Sequence, residues 1–366
     1  MGVGPGRDNS ESPACSVLHT VEWKDTQMII VMKPGASEDQ VQHVVDLVRD
    51  FGLKEHVIHG TDRTVVACIG DKRHVDKSAI ENASMVERVV PVLAPYKMAS
   101  REVRGERTQI RVGPRQFPLG GRQVGIIAGP CSIESREQIL LLADVAQKAG
   151  CIGLRGGAFK PRTSPYAFQG LREEGLKLLA EARARTGLAV FTEVMSIEQI
   201  PLVSELCDVL QIGARNMHNY ALLEAVGKAD KPVLLKRGLS ATLEEFLLAA
   251  EYIINAGNEQ VILCERGIRT FEDYVRNTLP LAVVPELNDK THLPVVVDPS
   301  HGTGHAHLVP AMCRAAVAAG ADGIILECHN DPEHASSDGA QSITPATLYE
   351  LMPVLKRIAQ AIDRDV

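Results

Sequence analysis

No apolar run in the 366-residue chain approaches the roughly 18 residues a membrane helix needs, so the sequence predicts no bilayer span. The opening MGVGPGRDNSESPACS has no apolar h-region and does not read as a secretory signal. Its Met-Gly start lacks the Ser or Thr that myristoylation favours at the sixth position, where Gly6 stands. A cytoplasmic protein is the expectation. Positive charge is not in excess: Lys+Arg 39 against Asp+Glu 46 gives −7, so no global basic field attracts nucleic acid. The eight cysteines show no CxxC spacing and read as buried small hydrophobes, not as a disulfide set.

What is present is ordinary globular composition, 45% hydrophobic and 23% charged, which excludes a mainly disordered chain. The length suits one large domain with a small one. Residues 1–24 are polar, Gly/Pro/Ser-rich and aperiodic, and read as a tail. From Met28 the pattern changes. MIIVMK is a short β-rich run. Ser37 with Gln40 forms a capping box, and Val41, Val44, Val45, Val48 and Phe51 recur at helical spacing before Gly52. EHVIHG and TVVACIG read as strands joined around Asp62, a helix is expected over Asp71 to Ser84, and VERVVPVL is a last strand. The order βαββαβ over residues 25–98 predicts a small α+β, ferredoxin-like domain. Residues 99–121, rich in Arg, Gly and Pro, read as a linker with an irregular hairpin.

Residues 122–366 alternate strand, loop and helix. VGIIAGPC, CIGLRGGAF, LAVFTEVM, VLQIGARN, PVLLKRG, QVILCERG, LPVVVDPSHG and GIILECH each precede a helical pattern. Eight βα units in about this length match a (β/α)₈ TIM barrel. A doubly wound sheet is the alternative, but neither a GxGxxG fingerprint nor a P-loop follows the first strand. Almost every strand ends in a polar or ionisable group: Cys131, Arg155 with Lys160, Glu193, Arg215, Lys236, Arg266, Asp298 with His301, and Glu327. In a barrel those ends converge on the face that carries active sites. Solvated loop charge explains one or two such residues, not a set drawn from all eight strands.

Two chemistries divide the set. Arg155, Lys160, Arg162, Arg215, Lys236 and Arg266 outnumber nearby acidic partners, so their crowding points to substrates with several anionic groups. Cys131, His301, Glu327 and Asp338 form a mixed ligand set for one divalent metal ion, Mn²⁺, Fe²⁺, Co²⁺ or Zn²⁺. Strand alternation turns Cys328 away from Glu327 and into the packing. His305-x-His307 invites a metal-dependent hydrolase reading, but that pair belongs after a barrel's first strand, and here it follows the seventh.

The motifs GPCSIES, RGGAFKPRTSPYAFQG, LLKRG, CERGIRTF, DPSHGTGH and ILECHNDPEHASSDGAQS, in that order, closely resemble the type I 3-deoxy-D-arabino-heptulosonate 7-phosphate (DAHP) synthases. The N-terminal unit resembles the regulatory extension of one branch of that family. The resemblance implies condensation of phosphoenolpyruvate with erythrose 4-phosphate, the first step of the shikimate pathway. It implies metal ligation by Cys131, His301, Glu327 and Asp338. Phosphoenolpyruvate contacts are implied for Arg155, Lys160, Arg215, Lys236, Arg266 and the backbone of Ala214, and aldose-phosphate contacts for Arg162 and Thr163. Lys160, Cys131 and His301 carry the implied catalytic roles. It also implies a homo-oligomer, a tetramer by analogy, with an aromatic amino acid as possible effector. Gly302-Thr303 and Asn330 depart from the usual family pattern without removing a charged group. The nearest rival, a 3-deoxy-octulosonate 8-phosphate synthase, resembles KANRSS where this chain has KPRTS.

Overall fold

The computed structural model describes residues 27–60, 63–70, 75–92, 95–160, 166 and 168–366. The tail expected at 1–24 and the junction at Asp62 lie outside them. The N-terminal unit runs β1 (Gln27–Met32), α1 (Glu38–Asp50), β2 (Lys54–His59), β3 (Thr64–Ile69), α2 (Lys77–Glu81) and β4 (Val86–Val92). Its sheet has the order β2-β3-β1-β4, with β1 antiparallel to both neighbours. This is the ferredoxin-like arrangement. α1 starts at the Ser37–Gln40 capping box, which satisfies amides that have no intrahelical acceptor, and it buries Val41, Val44, Val45 and Val48. α2 is shorter than the helix expected over Asp71 to Ser84. Asp76 caps it by accepting from the amides of Ser78 and Ala79, so the helix begins only at Lys77; residues 71–74 lie outside the description.

Alternation along β1 and β3 gives the sheet two apolar faces. Met28, Ile30, Met32, Val66 and Cys68 pack with the valines of α1. Ile29, Val31, Val65 and Ala67 instead join a core that includes Tyr96, Met98, Ala99 and Val103 and continues into the large domain. Residues 96–103 are thus packed into that core. Glu251 accepts the amides of Met98 and Ala99 at 2.7 and 3.0 Å. His292 bonds the Met98 carbonyl and the Thr108 hydroxyl, both at 2.7 Å. A hairpin follows, β5 (Ile110–Val112) with β6 (Phe117–Leu119).

The large domain is a closed barrel of eight parallel strands: β7 (Gly125–Gly129), β8 (Gly153–Arg155), β9 (Ala189–Glu193), β10 (Val209–Ile212), β11 (Val233–Lys236), β12 (Val261–Glu265), β13 (Val295–Val297) and β14 (Gly323–Glu327). β14 pairs with β7 to close it. Helices α3 (Arg136–Ala149), α4 (Arg172–Thr186), α5 (Ile200–Leu206), α6 (Tyr220–Val226), α7 (Leu243–Asn255) and α8 (Val283–Lys290) lie between successive strands. Two follow β13, α9 (Pro299–Thr303) and α10 (Val309–Ala318), and α11 (Pro345–Ala361) follows β14. Strand residues alternate between two cores. Ile127, Phe191, Val209, Leu234, Ile262, Val296 and Ile325 fill the interior together with Ile110, Val112 and Leu119 of the hairpin. Ile126, Leu154, Val190, Leu210, Leu235, Val295, Leu326 and Cys328 meet the helices. Burial on both faces explains the nearly continuous apolar runs of these strands. The hairpin plugs the N-terminal end of the barrel, where Gly113 backs onto Ala189, the first residue of β9. The other end stays open to the strand-end charges.

The ferredoxin-like domain sits toward the plugged end. His56 of β2 lies 3.3 Å from Glu259, in the turn that leads into β12. Among the described residues no helix is long and apolar enough to cross a membrane, and the seven cysteines among them are all buried and unbridged.

Candidate active site

A cavity of about 240 Å³ opens at the C-terminal ends of the strands. Among the described residues Arg155, Lys160, Arg215, Lys236, Arg266, Arg269 and Arg276 line it, against two carboxylates, Glu193 and Asp338. Ala214 contributes to the wall from the turn after β10. Several of the cations are buried: Arg155, Lys160, Lys236 and Arg266 keep 4–8% of their surface exposed. Two are balanced by buried acids, Arg155 by Glu327 at 2.6 Å and Lys236 by Asp298 at 2.5 Å. Burial pushes the Arg266 guanidinium down from its ordinary range, with Arg276 adding repulsion. A pocket with this imbalance, its cations largely buried, favours an anionic occupant.

Glycines let the charged side chains approach. A Cβ at Gly157 would lie 2.7 Å from the Cys131 carbonyl oxygen and 2.8 Å from Lys160 Cδ. Glycine therefore clears the path by which Lys160 Nζ reaches Cys131. Likewise a Cβ at Gly213 would meet Glu193 Oε1 at 2.0 Å, so Glu193 lies over bare backbone.

Beside the cations stands the mixed donor set. Ligand atoms of Cys131, Glu327 and Asp338 all lie within 4.8 Å of one another. His301 belongs to the same cluster by one edge: its Nε2 is 3.5 Å from Glu327 Oε1, although it falls outside that tighter group of three. β7 ends just before Cys131, β14 ends on Glu327, and α9 carries His301. The sequence reading had no helix there. Asp298 caps α9 by accepting the His301 amide at 3.0 Å, and Pro299 starts it. Asp338 reaches back because its backbone takes the left-handed conformation, φ 52°, which a short polar side chain tolerates.

The electrostatics suit a divalent cation. Burial opposes ionisation of Asp298, but His301 and Lys236 outweigh it and hold that carboxyl well below the usual range. An ionised Asp298 can only accept, so the 2.8 Å contact with His301 Nδ1 makes Nδ1 the donor and leaves Nε2 a lone pair. Burial also pushes the His301 pKa down, which favours the neutral ligand form. Burial works against Glu327 and Asp338 too, yet neighbouring charge and hydrogen bonds lower both, Asp338 to about 2. Burial, with Glu327 next, pushes the Cys131 thiol up to about 12. One thiol, one neutral imidazole and two ionised carboxylates are a donor set that fits a transition-metal dication.

Comparison with known proteins agrees with this geometry. The DAHP synthetase I family matches residues 109–364, and the DAHP synthase ferredoxin-like domain matches residues 28–94. The chain belongs to the DAHP synthetase I family. It is an enzyme of that transferase type. Phospho-2-dehydro-3-deoxyheptonate aldolase of Thermotoga maritima is 49% identical over 335 residues, 92% of this chain and 98% of the relative. The crystal structure of a DAHP synthase from Thermotoga maritima superposes with a TM-score of 0.74 at 48% identity, covering 93% of this chain and 99% of the other. A truncated form of 3-deoxy-D-arabino-heptulosonate 7-phosphate synthase from that organism covers 74% of this chain and 99% of its own, with a TM-score of 0.69 at 46% identity. The 2-dehydro-3-deoxyphosphooctonate aldolase of Koribacter versatilis is more distant, 33% identical over 68% of this chain and 95% of the relative.

Within this member of the DAHP synthetase I family, Arg155, Lys160, Ala214, Arg215, Lys236, Arg266, His301 and Asp338 all line one cavity. Cys131 and Glu327 adjoin it through Lys160 and Arg155, at 2.9 and 2.6 Å. Arg162 and Thr163 lie outside the described residues. His305 and His307 lie near each other, ring centroids 5.7 Å apart and tilted by 40°, in the turn between α9 and α10, and neither is among the described residues that line the cavity. Sequence reasoning did not single out Arg269, Arg276 or Gln341. The first two sit in GIRTFEDYVRNT, beyond the strand end itself. Gln341 is a neutral residue in a 3-10 turn, with no charge to draw attention.

Proposed function

We propose that the chain condenses phosphoenolpyruvate with D-erythrose 4-phosphate and water to give 3-deoxy-D-arabino-heptulosonate 7-phosphate and phosphate, the first step of the shikimate pathway. The observation that carries this reading is the cavity lined by seven cations and two carboxylates, bordered by the Cys131, Glu327 and Asp338 donors. Phosphoenolpyruvate brings a phosphate and a carboxylate, and the aldose brings a second phosphate. Arg155, Lys160, Arg215, Lys236, Arg266 and the Ala214 backbone hold the first substrate, and Arg162 and Thr163 hold the aldose phosphate. Fixing both charged ends sets C3 of the enol against C1 of the aldehyde, which converts a bimolecular encounter into an oriented one. Water then adds at C2, and phosphate leaves by C–O cleavage. Lys160, with its ammonium in the cavity wall, donates a proton or stabilises developing charge, and Glu193 handles the water proton, since both nitrogens of His301 are committed, Nδ1 to Asp298 and Nε2 to the ion.

Cys131, His301, Glu327 and Asp338 would hold one divalent ion, Mn²⁺, Fe²⁺, Co²⁺ or Zn²⁺, which supplies Lewis acidity toward the aldehyde oxygen when bound. Among the described residues the ferredoxin-like domain contributes none to the cavity, and we assign it regulation by a pathway product, an aromatic amino acid. The test is phosphate release from phosphoenolpyruvate with erythrose 4-phosphate against arabinose 5-phosphate, with and without chelator. Turnover confined to erythrose 4-phosphate and abolished by chelator supports the assignment. Preference for the five-carbon aldose would move the chain to the octulosonate branch, and turnover unaffected by chelator would remove the metal.

A further inference from the structure

The loop between β12 and α8 reaches the donor set through two side chains. It is pinned by a β-bridge between Ile268 and Thr278, and by hydrogen bonds that the amides of Arg276 and Asn277 donate to the carbonyls of Thr303 and Gly302. From this loop Arg276 Nη1 contacts Asp338 Oδ1 at 3.2 Å and Gln341 Oε1 at 2.8 Å. Gln341 in turn donates Nε2 to Glu327 Oε2 at 2.7 Å. Gln341 is buried, 2% exposed. Its amide is oriented by its two partners, since the oxygen faces a guanidinium and the nitrogen a carboxylate.

A single chain of contacts, Asp338–Arg276–Gln341–Glu327, therefore ties the two carboxylates of the donor set together. Gln341 engages Oε2 of Glu327, while Oε1 accepts from Arg155 Nη1 at 2.6 Å and lies 3.5 Å from His301 Nε2, so both oxygens of this carboxylate are held. We infer that Gln341 and Arg276 are positioning residues for the divalent ion. Gln341 fixes the plane of the Glu327 carboxylate through Oε2, Arg276 holds Asp338 in its left-handed loop, and neither is itself a ligand. The inference rests on the assignment of Cys131, His301, Glu327 and Asp338 as metal ligands. Outer partners that orient ligands in this way are worth roughly 10–100-fold in metal affinity. Charge and geometry oppose each other at Arg276. Deleting its positive charge alone would tighten cation binding, so any weakening isolates the loss of orientation.

The experiment is Mn²⁺ titration of the full chain, stripped of metal, by calorimetry, with Co²⁺ added separately to read the thiolate-to-cobalt absorption band. Gln341→Leu should weaken Mn²⁺ by about 10–100-fold and alter the Co²⁺ band. Arg276→Met, on a side chain 40% exposed and so the safer variant for folding, should weaken Mn²⁺ by a smaller factor. Arg269→Ala removes a cavity cation for which no donor contact is seen among the described residues, and should not weaken it. Mn²⁺ binding as tight as wild type, or tighter, in both Gln341→Leu and Arg276→Met overturns the inference. Binding that Cys131→Ser also leaves unchanged overturns the ligand assignment beneath it, a distinguishable failure.

Discussion

Lys160 Nζ lies 2.9 Å from the Sγ of Cys131 and 2.9 Å from the carbonyl oxygen of the same residue. The two residues come from the ends of neighbouring strands, β8 and β7, and one belongs to the anion pocket while the other belongs to the donor set. The ammonium thus stands at the seam between the two halves of the site. Cys131 further lies 3.0 Å from Asp338 Oδ2 and 3.1 Å from the Ser337 hydroxyl, so its sulfur is directed into a polar cluster. That contrasts with Cys328, whose neighbours are the apolar side chains of the strand–helix layer.

If Cys131 is the soft ligand we propose, replacing it by Ser should lower metal affinity by roughly 100-fold or more and abolish turnover, because a neutral hydroxyl is a poor substitute for a thiolate. Cys328→Ser should leave metal affinity within about threefold of wild type and cost some stability, since it buries a hydroxyl in an apolar layer. Metal titration and thermal unfolding of both variants check this. Loss of binding in Cys328→Ser with retention in Cys131→Ser would refute it.

Lys160→Ala should reduce kcat by about 100–1,000-fold, as expected for removal of a group that acts on charge developing in the transition state. Arg162→Ala should mainly raise the aldose KM, by about 10–100-fold, the worth of a charge-assisted contact to phosphate. Steady-state kinetics with each substrate varied separates the two, and the reverse pattern would exchange their roles.

A chain beginning at Pro95 should stay folded and active and lose sensitivity to tyrosine and phenylalanine, if the ferredoxin-like domain is the sensor. The cut lies ahead of Tyr96, Met98 and Ala99 because these residues belong to the packing of the large domain. A chain starting later would forfeit the bonds from Met98 and Ala99 to Glu251 and His292. Inhibition that survives the truncation would locate the sensor in the barrel. Full-length protein indifferent to every aromatic amino acid would leave the domain a structural role.

His292 predicts a dependence of stability on pH. Burial pushes its pKa down from 6.5 to about 4, Arg104 and Arg101 act in the same direction, and Glu259 and the Met98 carbonyl oppose them. Between those two values the unfolded chain binds a proton that the folded chain refuses. Stability is therefore complete above the unfolded pKa and is lost as pH falls toward about 4, by up to about 3 kcal/mol. Denaturation midpoints at pH 7 and pH 5 should differ more for wild type than for His292→Gln. Equal differences would show that the buried imidazole is not responsible.

Much of this protein was legible in one dimension because the governing rules are local. Hydrophobic period distinguished strands from helices, so the eight βα units, the βαββαβ order and the Ser37–Gln40 box follow from neighbours a few residues apart. Strand ends in a parallel barrel meet on one face whatever the details, and for that reason Cys131, Arg155, Lys236, Arg266 and Glu327 group together from the sequence alone. Contacts that need two distant segments at a definite separation were not legible. The clasp of Arg276 and Gln341 on Asp338 and Glu327 joins the loop after β12 to a turn after β14, and no spacing rule links them. The docking of residues 96–103 and the plug made by the β5–β6 hairpin were hidden for the same reason. A segment rich in Arg and Gly reads as a connector until the apolar face it covers is known. The pairing of His301 with Asp298 depends on a five-residue helix too short for any period to reveal, so its tautomer, and with it the nitrogen offered to a metal, was decided by tertiary structure alone.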